Sequence, residues 1–429
     1  MDFVNHYIVY PFWRTRFGKL LHSWIDWSKI LYYTRFIQPK IEKRISEQNK
    51  LSIVFFVISV SMWKADGLIK QLLNNPRFDV HIVSFLYPLD SMERRKELQN
   101  QMEAFFKKKN YPYVNSYNFH TNTYLDINEL HPDIIFYNQP YNLGYSGYRL
   151  ERFWKKTLFG YIPYCLNIEQ DDVFYDTLYL NLCKYVFVAT QYDLTLAQSK
   201  TKTKGRNCVV VGSLFYDELK DAPKSKEQIW RHPNYKHIIW APHHTIMPDD
   251  VLQYSTFLTY AEYMLSLAEK YKDVIEFAFK PHPALKDKLY KFNEWGQERT
   301  EQYYEKWSTM PNTFLADGNY TQLFAQSDAM IHDCSTFSCE YLYTYKPVLF
   351  LLKKTYSPLL TELGSSCLEM HYHAYHESDI EDFINKVVNN TDSLKEKRIH
   401  FVEHTLKASK TLSASATIIQ KLNNLLVSQ

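Results

Sequence analysis

The sequence predicts an α/β fold of two Rossmann-like domains that face a cleft, with a basic, aromatic helical segment before them and a helical C-terminus after them. Short apolar runs alternate with helical stretches, which is typical of parallel sheets covered by helices. The alternation stops at a polar, proline-interrupted stretch, 216–237, and then restarts. The length of 429 residues also exceeds what one ordinary core holds.

Composition narrows the class of protein. The 50 basic residues nearly balance the 47 acidic ones, so global charge does not indicate nucleic-acid binding. With only 10 glycines and neither GxGxxG nor GxxxxGK[ST], a dinucleotide fingerprint and a P-loop are not expected. The six cysteines form no CxxC pair, which indicates neither a zinc knuckle nor a disulfide framework and favours a reducing, cytoplasmic setting.

Residues 1–48 differ from the rest of the chain. Tryptophans and tyrosines are interleaved there with lysines and arginines, and we find no signal peptide or membrane-spanning run. Such a segment can lie on an anionic membrane surface, or it can pack as a basic helix on its own domain. We expect a cytoplasmic protein, with peripheral attachment to the inner face of the cell membrane as the open alternative.

Residues 49–220 are predicted to form an N-terminal Rossmann-like domain that binds the acceptor. Apolar, β-branched runs without helical period predict its strands, and the charged or amphipathic stretches between them predict its helices. The predicted strands are 51–61, 79–85, 133–137, 160–166, 185–190 and 208–212, and the predicted helices are 68–73 and 91–110.

Residues 221–405 are predicted to form a C-terminal Rossmann-like domain that binds a nucleotide donor, and residues 406–429 a final helix. The predicted strands are 237–241, 274–280, 313–315, 329–332 and 348–352, with a helix at 254–271. Ligands in such sheets bind at the carboxyl ends of the strands, so two facing domains would place the site in the cleft between them.

Three strands of the second domain end in polar residues that a ligand could use. In chain order these are His243 and His244, then Lys280 and His282, then Asp333 with Ser335 and Thr336. Because the ends share one edge of a parallel sheet, the three clusters should converge. Prolines on both sides of His282 should stiffen its loop. The ring could act as a general acid–base or contact a phosphate, and the sequence does not separate these roles.

The turn after strand 329–332 is predicted to hold a phosphate. Ser335 and Thr336 would cap a helix that starts near Phe337, so that hydroxyls and free backbone N–H groups face an anion. Glu340, about one turn further on, could accept hydrogen bonds from ribose hydroxyls. Asp333 belongs to the same donor site, either as a ligand or as a residue that orients the loop.

No metal site is predicted. His243 and His244 are adjacent, but no third ligand follows at a suitable spacing, and the chain has no DxD pair. The HxHxxH series of His371, His373 and His376 is interpreted as a surface or loop cluster. We therefore expect no cofactor, with the nucleotide-activated donor as a substrate.

Polar loops also follow two strands of the first domain, at 137–141 and 167–172. Glu169 or Asp171 in the second loop is a candidate base for the acceptor hydroxyl, although such loops are equally well explained by polarity without chemistry. Trp63, after the first strand, is either a stacking surface or a core residue.

Four segments between 211 and 352 form an ordered series of motifs. They are Val211-Gly212-Ser213 with Asp217, Ile239-Trp240-Ala241-Pro242, Lys280-Pro281-His282-Pro283, and Ile331-His332-Asp333-Cys334-Ser335-Thr336 with Glu340 and the turn Lys346-Pro347. In this order and at this spacing they resemble the CDP-glycerol glycerophosphotransferase family, the teichoic-acid primases and polymerases. The resemblance implies a GT-B fold of two Rossmann domains. It also implies that His282 is the essential histidine of an Arg-x-His-Pro motif and that Ser335 and Thr336 hold the donor diphosphate.

The chain departs from that family at two places. The family's other essential histidine lies in a Trp-His-Gly-Thr motif, whereas residues 164–170 here read Tyr-Cys-Leu-Asn-Ile-Glu-Gln. His243 and His244 stand where the family has an arginine. The first domain is therefore expected to accept something else or to use Glu169 as its base.

The expected function is a transferase that moves glycerol phosphate, or a related polyol phosphate, from a CDP-activated donor to a cell-surface glycan or lipid-linked acceptor. Hydroxyl attack on such a donor needs a base, for which Glu169 and His282 are candidates, and positive charge at the leaving phosphate, for which Lys280 is a candidate. Two alternatives remain open. One is a GT-B glycosyltransferase that uses a nucleotide sugar in capsule or polysaccharide synthesis, and the other is a non-catalytic member of such a complex.

Overall fold

The computed structural model describes residues 16–139, 144–170, 176–222, 228–250, 252–318, 320–354, 359–408 and 411–426. The chain divides into two compact units. Unit 1 takes in residues 1–164, 171–211 and 415–429, and unit 2 takes in residues 165–170 and 212–414. These divisions differ from the predicted boundaries, because the short segment Cys165–Gln170 joins unit 2 and the end of the chain returns to unit 1.

Unit 1 is built on a parallel seven-stranded sheet in the order β3-β2-β1-β6-β7-β8-β9. Its strands, including the separate antiparallel pair β4–β5, are β1 Leu51–Val57, β2 Phe78–Ser84, β3 Tyr113–Val114, β4 Tyr117–Asn118, β5 Thr123–Tyr124, β6 Ile134–Tyr137, β7 Leu158–Tyr161, β8 Tyr185–Val188 and β9 Cys208–Val210. Its helices are α1 Arg16–Tyr32, α2 Gln38–Ser46, α3 Asp66–Leu73, α4 Met92–Lys108, α5 Leu178–Leu182 and α6 Gln191–Lys200, and α16 Ala414–Asn423 lies almost wholly in this unit.

Burial on both faces of the sheet explains the apolar composition of the central strands. Residues of β1 and β6 such as Val54 and Ile135 are fully buried, as expected for parallel strands covered by helices. The N-terminal helices belong to this core, since Tyr33 and Ile45 are also fully buried. The described part of the N-terminal segment, residues 16–48, is thus packed on unit 1 along its inner face.

Unit 2 is built on a parallel six-stranded sheet in the order β12-β11-β10-β13-β14-β15. Its strands are β10 Lys236–Ala241, β11 Ile275–Phe279, β12 Thr313–Leu315, β13 Ala329–His332, β14 Val348–Leu351 and β15 Tyr372–Ala374. Its helices are α7 Leu214–Asp221, α8 Phe257–Lys270, α9 Leu285–Lys291, α10 Gly296–Thr309, α11 Thr321–Gln326, α12 Phe337–Glu340, α13 Glu362–Leu368, α14 Glu377–Val388 and α15 Lys395–Phe401.

The strand order of each sheet reverses in the middle, between β1 and β6 in unit 1 and between β10 and β13 in unit 2. Such a reversal leaves a crevice beyond the carboxyl ends of the two strands, because their following helices cross to opposite faces. In unit 2 the aromatic core of Trp240, Phe279 and Trp307 lies beneath this edge, with ring centroids 5.0–5.4 Å apart. The crevice of unit 2 is therefore supported by closely packed rings.

The structure confirms the predicted α/β fold with two Rossmann-like halves and helices at both ends. The differences are local. Helix α7 occupies the start of the predicted linker 216–237, because Ser213 caps it through a hydrogen bond from the Tyr216 N–H at 3.3 Å. Strands β3, β4, β5 and β15 were not predicted, because β3 has only two residues and polar residues such as Asn118 and His373 interrupt the others.

Cys339 and Cys367 form a disulfide between α12 and α13, with Cα atoms 5.7 Å apart. This bond corrects the expectation that the scattered cysteines form no disulfide framework, because the fold brings together two cysteines that stand 28 positions apart in the chain. The four other cysteines are free thiols. Among the described residues, no helix is long and apolar enough to cross a membrane.

Candidate functional site

The polar strand ends of unit 2 meet at the reversal of its sheet. Strand register places Trp240 beside Phe279 and Ala241 beside His332, so that β10, β11 and β13 end at the same level. The Lys280 N–H donates to the Trp240 carbonyl at 2.8 Å, and the His282 N–H donates to the Pro242 carbonyl at 3.0 Å. The predicted convergence of these loops is thus present in the backbone itself.

Three histidines form one cluster at this edge. The ring centroids of His243 and His244 are 4.4 Å apart, and His282 lies 5.2 Å from the first and 4.2 Å from the second. One ring nitrogen from each residue lies within 4.8 Å of those of the other two. The third histidine follows the next strand along the chain, 38 positions after His244, so local spacing in the sequence does not reveal it.

Burial keeps these rings neutral. Desolvation lowers the pKa of His243 to about 2, with smaller effects from His244, His282 and Lys288. Desolvation also lowers the pKa of His282 to about 3, with smaller effects from His244, Lys280 and Lys288. Desolvation also lowers the pKa of His244. At physiological pH the cluster therefore presents nitrogen lone pairs and N–H groups rather than positive charge.

Asp333 holds the loop that carries these histidines. Its Oδ1 accepts the His243 N–H at 2.5 Å, and its Oδ2 accepts both the N–H and the hydroxyl of Thr256, at 2.5 and 2.8 Å. The side chain is fully buried, and burial raises its pKa to about 6 against the opposing effect of these hydrogen bonds. Of the two predicted roles for Asp333, this geometry favours orienting the loop over contacting a donor.

Lys280 brings a cation to the same edge. Its side chain is buried, its Nζ lies 6.0 Å from the centre of the Tyr320 ring, and its charge acts on both His282 and Cys334. A lysine in this setting has a restricted side chain and a poorly solvated ammonium group. Both properties favour tight contact with an anion.

Glu340 is more enclosed than the sequence predicted. It is almost completely buried, and its Oε2 accepts a hydrogen bond from the Tyr320 hydroxyl. Tyr320 thus occupies one oxygen of the carboxylate that was predicted to accept hydrogen bonds from ribose. Tyr320 itself was missed, because the residue comes from the approach to α11 and no local pattern links it to Lys280 or Glu340.

Ser335 and Thr336 do not cap α12 as predicted. Thr336 already has helical backbone angles, φ −57° and ψ −41°, and makes no side-chain cap hydrogen bond. An N-cap side chain normally needs an extended backbone to reach the N–H groups of its helix. Both side chains are half-buried, and we find no hydrogen bond to either hydroxyl within the described parts of the chain. The two hydroxyls are thus available to a ligand.

Glu169 lies in the short segment of unit 2 that precedes the gap at 171–175. Its backbone pairs with Leu360 in an isolated antiparallel bridge, and its Oε1 is buried with no hydrogen-bond partner among the described residues. Among the residues that the structure describes, we find no hydrogen bond, ion pair or ring contact between Glu169 and the histidine cluster. Asp171, the alternative candidate base, lies outside the described residues.

The predicted polar edge of unit 1 is a small, mainly aromatic pocket at the reversal between β1 and β6. Phe55, Phe136 and Tyr164 line it together with Lys64 and Asn138. The Asn138 Nδ2 atom is buried and has no partner among the described residues. This pocket offers the Asn138 amide and ring faces to a ligand, while the Lys64 Nζ donates to the Ser61 carbonyl at 3.1 Å.

Trp63 also contributes to the wall of that pocket, but mainly as a core residue. It is buried, its Nε1 donates to Asp66 at 2.7 Å, and its ring packs edge-on against Phe106. The alternative that Trp63 is an open stacking surface is not supported by this packing.

The HxHxxH series does not gather into one group. His371 is buried and packs 5.3 Å from His332, whereas His373 is exposed on β15 and His376 precedes α14. In the described part of the structure, the three clustered histidines at the sheet edge are the one group with metal-ligand geometry.

The comparisons with known proteins show that this chain is similar to solved structures in fold. No family model and no curated protein matches the chain. A UDP-GlcNAc 2-epimerase from Neisseria meningitidis, solved with UDP-GlcNAc bound, aligns over 87% of this chain and 100% of its own, with a TM-score of 0.58 and 14% identity.

Two further solved structures are similar. The S. aureus MnaA–UDP complex aligns over 87% of this chain and 97% of its own, with a TM-score of 0.53 and 14% identity. The H444N variant of the wall teichoic acid polymerase TagF aligns over 93% of each chain, with a TM-score of 0.56 and 10% identity. At these identities the likeness establishes that the chain has the two-Rossmann fold known as GT-B.

Proposed function

We propose that the protein is a GT-B transferase that uses a nucleotide-activated donor, and that it moves glycerol phosphate or a related polyol phosphate from a CDP-activated donor. The observation that carries the proposal is the meeting of Lys280, His282 and the Ser335–Thr336 turn at the reversal of the unit 2 sheet. Open α/β sheets bind ligands at such a point.

The reaction has simple charge requirements. An acceptor hydroxyl attacks the phosphorus that carries the transferred group, the diphosphate P–O bond breaks, and a nucleoside monophosphate leaves with added negative charge. The buried ammonium of Lys280 can neutralise that charge, and the hydroxyls of Ser335 and Thr336 can donate hydrogen bonds to the phosphate oxygens. Because the side chain of Lys280 is already buried at the strand ends before the donor arrives, this charge needs little reorganisation.

His282 fits phosphate contact better than the role of general base. A base with a pKa of about 3 takes up a proton poorly near neutral pH. In addition, its Nδ1 already accepts a hydrogen bond from the Ala284 N–H at 3.1 Å. Glu169, with its buried and unpartnered Oε1, remains our proposed base.

The solved structures of similar fold support a nucleotide donor but differ in chemistry. The epimerase and MnaA structures contain UDP-GlcNAc or UDP, and TagF is a teichoic acid polymerase. The second candidate function is therefore sugar transfer from a nucleotide sugar to a surface glycan. The pocket of unit 1, with its ring faces and polar groups, is our proposed acceptor site in either case.

A donor panel separates these functions. The full chain is incubated with CDP-glycerol, CDP-ribitol, UDP-GlcNAc and GDP-mannose, and the release of free nucleotide is measured alongside melting temperature. We expect thermal stabilisation and nucleotide release with a CDP-polyol donor. Consumption of UDP-GlcNAc alone would favour the second candidate, and absence of any nucleotide-induced shift would contradict both and favour a non-catalytic role.

The hydroxyl pair provides a site-specific prediction. The double variant Ser335→Ala, Thr336→Ala should weaken CDP binding roughly 30-fold, which corresponds to the loss of two hydrogen bonds of about 1 kcal/mol each. The matched control is Ser308→Ala, Thr309→Ala, an identical dipeptide at the end of α10 whose hydroxyls bond to helix carbonyls. Calorimetric titration with CDP gives both affinities, and an unchanged Kd for the first variant would remove the turn from the site.

We further propose that α1 attaches the enzyme to an anionic membrane surface. Its inner face is buried through Ile30, but Leu20, Trp24, Trp27 and Leu31 repeat at helical spacing along the outer face with 63, 66, 41 and 51% of their surface exposed. Exposed Lys29, Arg35 and Lys40 accompany this stripe. Apolar rings flanked by basic groups are suited to the headgroup layer of anionic lipids.

Point substitutions test this attachment, since deletion of the segment would remove buried Tyr33 and Ile45 from the core. The variant Trp24→Glu, Trp27→Glu should bind phosphatidylglycerol-containing vesicles about 150-fold more weakly, because each ring contributes about 1.5 kcal/mol on burial. Leu89→Glu, at an exposed site elsewhere in unit 1, is the control. Vesicle co-sedimentation reports the effect, and equal binding by all three proteins would contradict the proposal.

A further inference from the structure

We propose that His243, His244 and His282 form a three-histidine site for a borderline divalent transition metal such as Zn²⁺. The ring nitrogens available from the three residues lie within 4.8 Å of one another. Three imidazoles that leave one position open are the ligand set of a catalytic type of zinc site, and imidazole also suits cobalt, nickel and copper. The sequence analysis expected no metal, and the spatial arrangement of these rings now argues for one.

The hydrogen bonds around the cluster leave suitable nitrogens for coordination. The His244 Nδ1 is buried and has no partner in the described structure, so a metal would satisfy an atom that is otherwise costly to bury. The His243 Nδ1 lies 2.9 Å from the Thr245 hydroxyl. If the ring donates to that oxygen, its Nε2 lone pair is free, which is how bound histidines are usually oriented.

His282 is the ligand that must change most. Its Nδ1 accepts the Ala284 N–H at 3.1 Å, so coordination through this ring competes with that hydrogen bond. A metal–nitrogen bond is stronger than one neutral hydrogen bond. The ring stays at the cluster during this exchange because two features hold its backbone in place. These are the stiff Pro281-His282-Pro283 loop and the hydrogen bond from the His282 N–H to the Pro242 carbonyl.

The charges near the cluster permit a cation. Lys288 is paired with Asp250, and Asp333 lies directly behind the His243 backbone. Lys280 adds a positive charge beside His282, and a bound diphosphate would offset it. If the proposed function holds, the metal takes the place of the His282 ring in contacting the donor phosphates; metal binding itself does not depend on that function.

The test uses the full chain, stripped with a chelator and titrated with Zn²⁺ or Co²⁺ alone, without nucleotide. We expect one metal per chain by calorimetry, with tetrahedral Co²⁺ absorbance. His244→Gln should weaken binding about 100-fold, and Thr245→Val, which removes the partner of the His243 ring, by about 10-fold. The control is His404→Gln, because His400 and His404 form a separate stacked pair with ring centroids 4.2 Å apart.

The outcomes separate this inference from the proposed function. Unchanged affinity in His244→Gln, or a loss of binding in His404→Gln instead, would overturn the metal site, as would the absence of any stoichiometric binding. Metal binding without nucleotide release from any donor would leave the site intact and contradict the transferase. Full transferase activity in a protein that binds no metal would contradict only the metal site.

Discussion

Replacing Lys280 with methionine will weaken the binding of CDP by roughly 150-fold. The buried ammonium is a cation at the edge where β10 and β11 end. A hydrogen bond between charged groups in such a setting contributes about 3 kcal/mol, whereas methionine has a similar length and no charge. Calorimetric titration with CDP and with UDP measures the loss for each base.

The control for this prediction is Lys286→Met. Lys286 lies on α9 in the same unit, but it is paired with Glu301 rather than directed to the strand ends. The Lys286→Met variant should bind CDP with the same affinity as the unaltered protein. Equal affinity in the two variants would show that the positive charge of Lys280 has no part in holding the diphosphate.

Replacing Asp333 with alanine will lower the free energy of unfolding of unit 2 by about 3–5 kcal/mol. The substitution leaves the His243 N–H and both donors of Thr256 buried without an acceptor. That loss is a large part of the 5–15 kcal/mol that stabilises a typical domain. Asp333→Asn keeps the shape but turns an amide N–H₂ toward one of these donors, so it should cost about 2 kcal/mol.

Glu276 provides a matched control for the functional part of this prediction. It is a fully buried carboxylate near the start of β11, at the opposite edge of the same sheet, and it accepts hydrogen bonds from Arg231 and from the His232 N–H. Denaturant unfolding should show that Glu276→Ala is destabilised about as much as Asp333→Ala. CDP titration below the transition should show weakened binding only for Asp333→Asn, and weakened binding in both would mean that Asp333 affects the site through stability alone.

The fold could be predicted because its signals are local. Strands such as Leu51–Val57 and Ile275–Phe279 are mostly apolar, with Ser52 and Glu276 as their single polar residues, and burial on both faces makes an apolar composition necessary. Short strands such as Tyr113–Val114 carry no period that a sequence can show, and their pairing depends on neighbours far along the chain.

The site could be predicted only to the level of its strand ends. The convergence of the Lys280–His282 loop with the loops that carry His243 and Ser335 follows from parallel topology. The role of each side chain, however, depends on partners that lie elsewhere in the chain. Asp333 bonds to Thr256 across 77 positions, and Tyr320 bonds to Glu340 from another element. Thr336 had the residue type of a cap, yet its helical backbone rules out capping.

The most direct test of the account is a structure of the full chain with CDP bound. We expect both phosphates beyond the carboxyl ends of β10 and β13, with phosphate oxygens about 3 Å from the Lys280 Nζ and from the hydroxyl of Ser335 or Thr336. A diphosphate bound at the aromatic pocket of unit 1, or anywhere out of reach of Lys280 and Ser335, would contradict the claim that this edge of unit 2 holds the donor.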